Sequence, residues 1–232
     1  MIILITRPLI DAEDLMEKFF SLGHKIVHLP TLKIIPLAMK PINPNEFDAF
    51  IFTSANAIRN LKLNSNNKNL HCFCVGSLTE KIVRQAGFNN TSSAGGTVNA
   101  LKNLIMISEK INKSSKLAYF CGDNISYDLD NELKKENINV KKIVNYSSEL
   151  IKDLNNENKK LIELYPPDLI FVYSSRSAQS FVAIVKNYSL GPLMTQSTVM
   201  CISEKVAKIF KSQGWKKIEI FSPGDEMIKL EV

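Results

Sequence analysis

The sequence predicts an α/β protein built as two related domains, each formed around a mostly parallel sheet. Two observations predict it. Short apolar runs alternate with amphipathic segments over nearly the whole chain, which is the pattern of βα units. One pattern also occurs twice: Asp48 to Ile58 (DAFIFTSANAI) and Asp168 to Ala178 (DLIFVYSSRSA) each give an acidic residue, a buried strand and a polar turn opening a helix. A second pair supports the duplication, since Val75-Gly76-Ser77-Leu78-Thr79 leads to Gly87 over the same interval as Ile202-Ser203-Glu204-Lys205-Val206 leads to Gly214. A chain of 232 residues suffices for two cores, at roughly 100 residues per small domain.

Taken in order, strands are expected near 2–5, 25–29, 48–53, 71–75, 116–120, 168–173, 197–201 and 217–221. Helices are expected at 11–22, 77–86, 97–107, 125–136, 176–187 and 203–213. Gly23, Gly87 and Gly214 each follow a helical run, where a C-terminal stop belongs. Pro30 to Pro36 (PTLKIIP) and Lys141 to Ser148 (KKIVNYSS) fit no βα unit, and their β-branched residues suggest extended segments joining the domains. The expected division is a discontinuous domain, 1–32 plus 150–232, an inserted domain, 38–141, and linker strands at 33–37 and 142–149. Asn64 to Asn69 reads as a solvated loop, and Asn155 to Lys160 as an exposed helix end.

Composition narrows the class of function. With 45% hydrophobic and 22% charged residues the chain has material for packed cores, and its formal net charge of +6 favours anionic partners. The lysines are scattered, and no basic block is interleaved with aromatics, so nucleic acid is not expected as a partner. Met1 to Ile5 is apolar for too few residues before Thr6-Arg7-Pro8 to be a signal peptide or a membrane span, so a cytoplasmic protein with no membrane partner is expected. Cys72, Cys74, Cys121 and Cys201 lie in apolar strand-like runs, which suits a reducing compartment.

The chain carries no G-x-G-x-x-G, Walker loop, H-E-x-x-H, C-x-x-C or G-x-S-x-G. His71 with Cys72 and Cys74 lacks a second ligand pair, so neither a metal nor another cofactor is expected. What recurs is hydroxyl, amide and glycine at strand-to-helix turns: Thr6-Arg7, Thr53-Ser54-Ala55-Asn56, Gly76-Ser77-Leu78-Thr79, Gly122-Asp123-Asn124, Ser174-Ser175-Arg176-Ser177 and Ser203. In a parallel α/β sheet such turns gather at the carboxyl ends of the strands, where backbone N–H groups and helix ends accept anions. Helix capping is the better explanation of any single turn, whereas six such turns together point to an anion-binding cleft.

The order of these pieces resembles the uroporphyrinogen-III synthase family. The matching residues are Ile5-Thr6-Arg7-Pro8, Gly23-His24 with Leu29-Pro30, Asp48 with Phe52 to Ala57, and Val75-Gly76 with Thr79 and Gly87. They continue with Gly122 in the F-C-G turn, Val144-Asn145-Tyr146, and Asp168 with Tyr173-Ser174. The resemblance implies two flavodoxin-like domains joined by a two-stranded β linker, with the substrate held between them. It implies a cofactor-free hydro-lyase of heme biosynthesis that cyclises hydroxymethylbilane to uroporphyrinogen III, losing water and inverting the last pyrrole ring through a spiro intermediate. A monomer is the simplest assembly, and the preceding pathway enzyme is a candidate partner.

By the same resemblance Tyr146 is the catalytic candidate. The candidate substrate-binding set is Arg7, Thr53, Ser54, Asn56, Gly76, Ser77, Thr79, Gly122, Asp123, Ser174, Ser175, Ser177 and Ser203. The second repeat departs from the first, with Tyr173 in place of Thr53, Ser203 in place of Gly76 and Val206 in place of Thr79. Two other readings stay open: a binding protein that holds a tetrapyrrole without turnover, and a phosphosugar enzyme. The second would need a His or Glu acid–base pair beside the turns, and none is apparent.

Overall fold

The computed structural model describes residues 1–222 and 224–227; Pro223 and residues 228–232, at the end of the expected outer domain, lie outside the described residues. The chain divides into two compact units, Met1–Lys33 with Glu149–Val232, and Ile34–Ser148. The first unit opens with β1 (Ile2–Ile5), α1 (Leu9–Ser21) and β2 (Lys25–His28), and β3 (Leu32–Pro36) carries the chain out of it. The second unit holds β4 (Ala49–Phe52), α2 (Ala55–Arg59), β5 (His71–Cys74), α3 (Ser77–Gln85), β6 (Thr91–Ser93), α4 (Val98–Met106), β7 (Lys116–Gly122) and α5 (Leu129–Lys135). The return strand β8 (Asn139–Leu150) leads back to α6 (Asn156–Leu164), β9 (Leu169–Val172), α7 (Ser175–Asn187), α8 (Gly191–Met194), β10 (Thr198–Cys201), α9 (Glu204–Lys211) and β11 (Ile218–Ile220).

Both sheets follow from one arrangement. The first unit orders its strands β11-β10-β9-β1-β2, and the second orders β6-β5-β4-β7-β8 with β3 beyond β8. The sequence repeat matches β9 to β4 and β10 to β5. Carrying that match along the sheets pairs β11 with β6, β1 with β7 and β2 with β8, so the spatial order is the same and only the point of chain entry differs. The first unit is therefore a circular permutation of the second. In each, the order reverses beside the central repeated strand, between β1 and β9 and between β4 and β7, and such a switch point opens a crevice at the carboxyl ends of its strands.

The repeated acidic residue has the same role in both units. Asp48 accepts the Lys116 N–H at 2.7 Å through its carboxylate, while its own N–H donates to the Lys116 carbonyl at 2.9 Å. Asp168 accepts the Ile2 N–H at 2.7 Å and donates to the Ile2 carbonyl at 2.8 Å. Each clamps the start of a central strand to its neighbour and so fixes the register Phe52 to Phe120 in one unit and Ile5 to Phe171 in the other.

Central parallel strands are covered on both faces and hence continuously apolar. All four residues of β4 are buried, with Ala49 and Ile51 in one apolar cluster and Phe50 and Phe52 in the other. In the first unit, Ile170 and Val172 join the cluster of Phe181 and Phe210, while Phe171 packs with Ile3, Ile5 and Phe19. No helix of the described residues is long and apolar enough to cross a membrane.

Several elements are shorter or longer than the sequence suggests. Helix α5 begins at Leu129, not 125, because Asp123 to Ser126 form the turn after β7. Strand β8 begins at Asn139 and pairs in parallel with β7 over Lys116 to Gly122. The stretch expected only as a linker is thus also the fifth strand of the inserted sheet, and it keeps β3 as its other neighbour. The short elements α2, β6 and α8 carry too few residues for a periodic signal.

Candidate active site

A cavity of about 130 Å³ lies at the switch point of the second unit, lined by Thr53, Ser54, Val98, Tyr119, Gly122, Asn124, Ile125, Ser126, Tyr127 and Tyr146. Its floor is the carboxyl ends of β4 and β7. Thr53 follows β4 directly, and its Oγ1 lies 3.2 Å from the Tyr119 hydroxyl. Tyr119 is 1% exposed, and burial pushes its phenol well above the usual range, with the Thr53 hydrogen bond opposing the shift.

Tyr146 reaches this cavity because of two backbone features. The β7–β8 register pairs Cys121 with Val144 but Gly122 with Tyr146, so Asn145 is an extra residue in a bulge. Strict alternation along β8 would send Tyr146 away from the face of Ile143; the bulge lets both Ile143 and Tyr146 pack against the cluster of Phe52 and Phe120. The Asn145 side chain is buried and donates to the Ala57 carbonyl at 2.6 Å. The second feature is Gly122, where a Cβ would stand 2.8 Å from two ring carbons of Tyr146 and 3.0 Å from its hydroxyl. The ring therefore lies directly over the glycine, and the Asp123 N–H donates to the Tyr146 carbonyl at 3.0 Å.

Of the residues expected from sequence, the cavity gathers Tyr146, Thr53, Ser54 and Gly122. Ser54 is also the N-cap of α2, accepting the Asn56 N–H. The remaining expected residues of this unit stand outside its lining. Asn56 is buried and its side-chain oxygen accepts from Arg59 at 3.1 Å. Asp123 is exposed, and its carboxylate accepts the Ser148 N–H at 3.3 Å, tying the turn to β8. Gly76 precedes α3 with extended backbone and faces Gly96, whose Cα a Cβ would meet at 3.3 Å. Ser77 is exposed on α3, while Thr79 is 5% exposed.

In the first unit Arg7 and Tyr173 occupy the equivalent switch point, with the guanidinium carbon 3.5 Å from the ring centroid. Burial raises the Tyr173 phenol, while the Arg7 charge opposes that shift. Ser174 caps α7, accepting the Ser177 N–H and donating to the Ser177 hydroxyl, both at 3.0 Å. Ser175 is the first residue of that helix. Ser203 caps α9 through the Val206 N–H at 3.4 Å. The Ser174 and Ser203 hydroxyls are engaged as caps, the use their residue type favours.

Sequence reasoning missed Val98, Tyr119, Ile125, Ser126 and Tyr127 as lining residues and named Asn124 only as part of its turn. A signal for Tyr119 exists: a phenol within an otherwise apolar buried strand needs a partner for its hydroxyl. Among the described residues no three His, Cys, Asp or Glu side chains gather as a metal site. His71 is hydrogen-bonded instead to Ser92 at 3.0 Å and to Lys110 at 3.3 Å.

Two doubly wound parallel-sheet units of one strand order, with a hydroxyl-rich cavity at the switch point of the second, define a two-domain α/β protein of the class whose ligand crevices open at such points. The family model for "Uroporphyrinogen-III synthase HemD" matches residues 13–222, and the chain belongs to the uroporphyrinogen-III synthase family. It is 26% identical over 231 residues to the porphyrin biosynthesis protein HemD of Ruminiclostridium josui, an alignment covering 93% of this chain and 45% of that relative. The chain thus spans about half the length of the curated relative it matches. Among solved structures it is similar to uroporphyrinogen-III synthetase of Helicobacter pylori, with a TM-score of 0.62 and 18% identity over 94% of this chain and 91% of that one. A mutant uroporphyrinogen III synthase of Thermus thermophilus gives a TM-score of 0.54 and 14% identity over 94% and 92%.

Proposed function

We propose that this chain cyclises hydroxymethylbilane to uroporphyrinogen III, with Tyr146 acting on the departing hydroxyl group. The observation that carries the reading is the placement of the Tyr146 ring over Gly122 at the switch-point cavity, beside Thr53. The cavity of about 130 Å³ is well below the roughly 300 Å³ at which pockets begin to enclose a whole drug-sized ligand. It suits the reacting hydroxymethyl end of the substrate, with the rest of the octacarboxylate outside it.

In this mechanism Tyr146 donates a hydrogen bond or proton to the hydroxyl as the carbon–oxygen bond breaks. The bond pair leaves with oxygen as water, and the pyrrole carries the positive charge as an azafulvene-like electrophile. The substituted carbon of the last ring attacks that carbon, and migration from the resulting spiro centre inverts the ring. A ring proton is lost at closure, so the net loss is one water. General acid assistance supplies about 10²-fold; the remainder comes from holding a flexible chain so that the substituted carbon attacks. The residues at the other turns, Arg7, Gly76, Ser77, Ser174, Ser175 and Ser203 among them, would serve carboxylate groups through N–H donors and hydroxyls, which limits the burial of charge. Four cysteines, all free and buried, support a reducing, cytoplasmic setting; a monomer that receives its unstable substrate from the preceding pathway enzyme completes the proposal.

The test generates hydroxymethylbilane in place, adds the protein, oxidises the products and separates type I from type III isomers. Enrichment of type III is expected, and Tyr146→Phe should lower kcat about 10- to 100-fold. Type I alone from a folded, tetrapyrrole-binding protein would replace the enzyme reading with a binding role.

A further inference from the structure

We propose that Tyr119 is a positioning residue of this site, holding the Thr53 hydroxyl as a fixed donor into the cavity. The inference rests on reading the cavity beside Tyr146 as the place of reaction. Tyr119 stands on β7 between Ile51 of β4 and Lys142 of β8, and its ring packs in the cluster of Ile51, Cys121 and Leu129. Tyr119 also lines the cavity, and its hydroxyl lies 3.2 Å from Thr53 Oγ1.

A bond between two hydroxyls consumes one proton and leaves the other free to donate. Thr53 is half-buried, whereas Tyr119 is enclosed. The phenol is also the more acidic hydroxyl and hence the better donor. With Tyr119 donating to Thr53, the threonine proton is left for an acceptor in the cavity, either a substrate carboxylate or the departing hydroxyl. Burial raises the phenol's pKa, so at neutral pH it retains a proton to donate. The Cys121 sulfur also neighbours the phenol, but sulfur is a weak acceptor beside a hydroxyl oxygen, so the phenol proton goes to Thr53. Threonine is already stiff at χ1; the Tyr119 bond settles its remaining freedom, rotation of the hydroxyl. Such ordering before the substrate arrives is what preorganised donors contribute.

The experiment compares Tyr119→Phe, Thr53→Val, the double variant and Thr53→Ser in the isomer assay, with a thermal melt of each. Phe keeps the ring and its packing. Loss of one neutral hydrogen bond predicts that Tyr119→Phe lowers kcat/KM about 3- to 10-fold. Thr53→Val should lower it at least as much, and the double variant should fall no further than Thr53→Val. Thr53→Ser, which keeps the hydroxyl, should lose less than Thr53→Val and remain sensitive to Tyr119→Phe. Wild-type activity in Tyr119→Phe, or losses that multiply in the double variant, would overturn the role. A different result marks failure of the underlying reading: no type III product from the unsubstituted protein, or full activity in both Tyr146→Phe and Thr53→Val. Either outcome removes this role as well.

Discussion

Gly122 and Tyr146 form one structural device. The glycine is needed for its missing side chain, since a Cβ there would sit 2.8 Å from the tyrosine ring. The nearest contact is with a ring held by the β8 backbone, so the clash cannot be relieved by swinging a flexible chain end. Gly122→Ala is expected to displace the ring and lower kcat to about the level of Tyr146→Phe, at an overpacking cost of about 1–3 kcal/mol in stability. Isomer analysis and a thermal melt read the two effects separately, and an alanine variant with full turnover would refute the coupling. At this scale the sequence named both partners through their motifs. It could not show that one covers the other, because their pairing depends on a register between strands.

Strand β8 illustrates what an element adds. Read alone, KKIVNYSS is a β-branched stretch with no face assigned, and alternation places Asn145 and Ile143 together. The bulge at Asn145 re-aims Tyr146, and the amide bond to the Ala57 carbonyl holds the extra residue in place. The clamps at Asp48 and Asp168 act on elements too, each fixing the start of one central strand against its neighbour. Both carboxylates are exposed, so water competes for them. Asp48→Ala and Asp168→Ala should each cost about 1 kcal/mol. Because they serve different units, their losses should add to within about 0.5 kcal/mol in urea unfolding. A double variant far from additive would mean that the two clamps are not independent. The repeat that marks these residues was legible in the sequence; their identical hydrogen bonds were not, since each partner strand lies far away in the chain.

The whole molecule carries a formal net charge of +6, and the substrate proposed for it has eight carboxylates. Long-range attraction of that kind is screened within about 10 Å at 0.1 M salt. The proposed activity should therefore lose kcat/KM steeply between low and moderate ionic strength while kcat changes little, a dependence that steady-state assays across a salt series would read. A flat profile would place recognition in short-range hydrogen bonds alone. The sequence by itself determined the α/β class, the duplication and the central strands, because burial and periodicity are local properties written into consecutive residues; Tyr146 became a candidate through the family resemblance. Only the tertiary structure decided that one unit is a circular permutation of the other, that Asn145 makes a bulge, and that Tyr119 meets Thr53 at a switch point. Each of these depends on which distant strands become neighbours and in what register. That is fixed by packing many side chains at once, and no local stretch of the chain contains it.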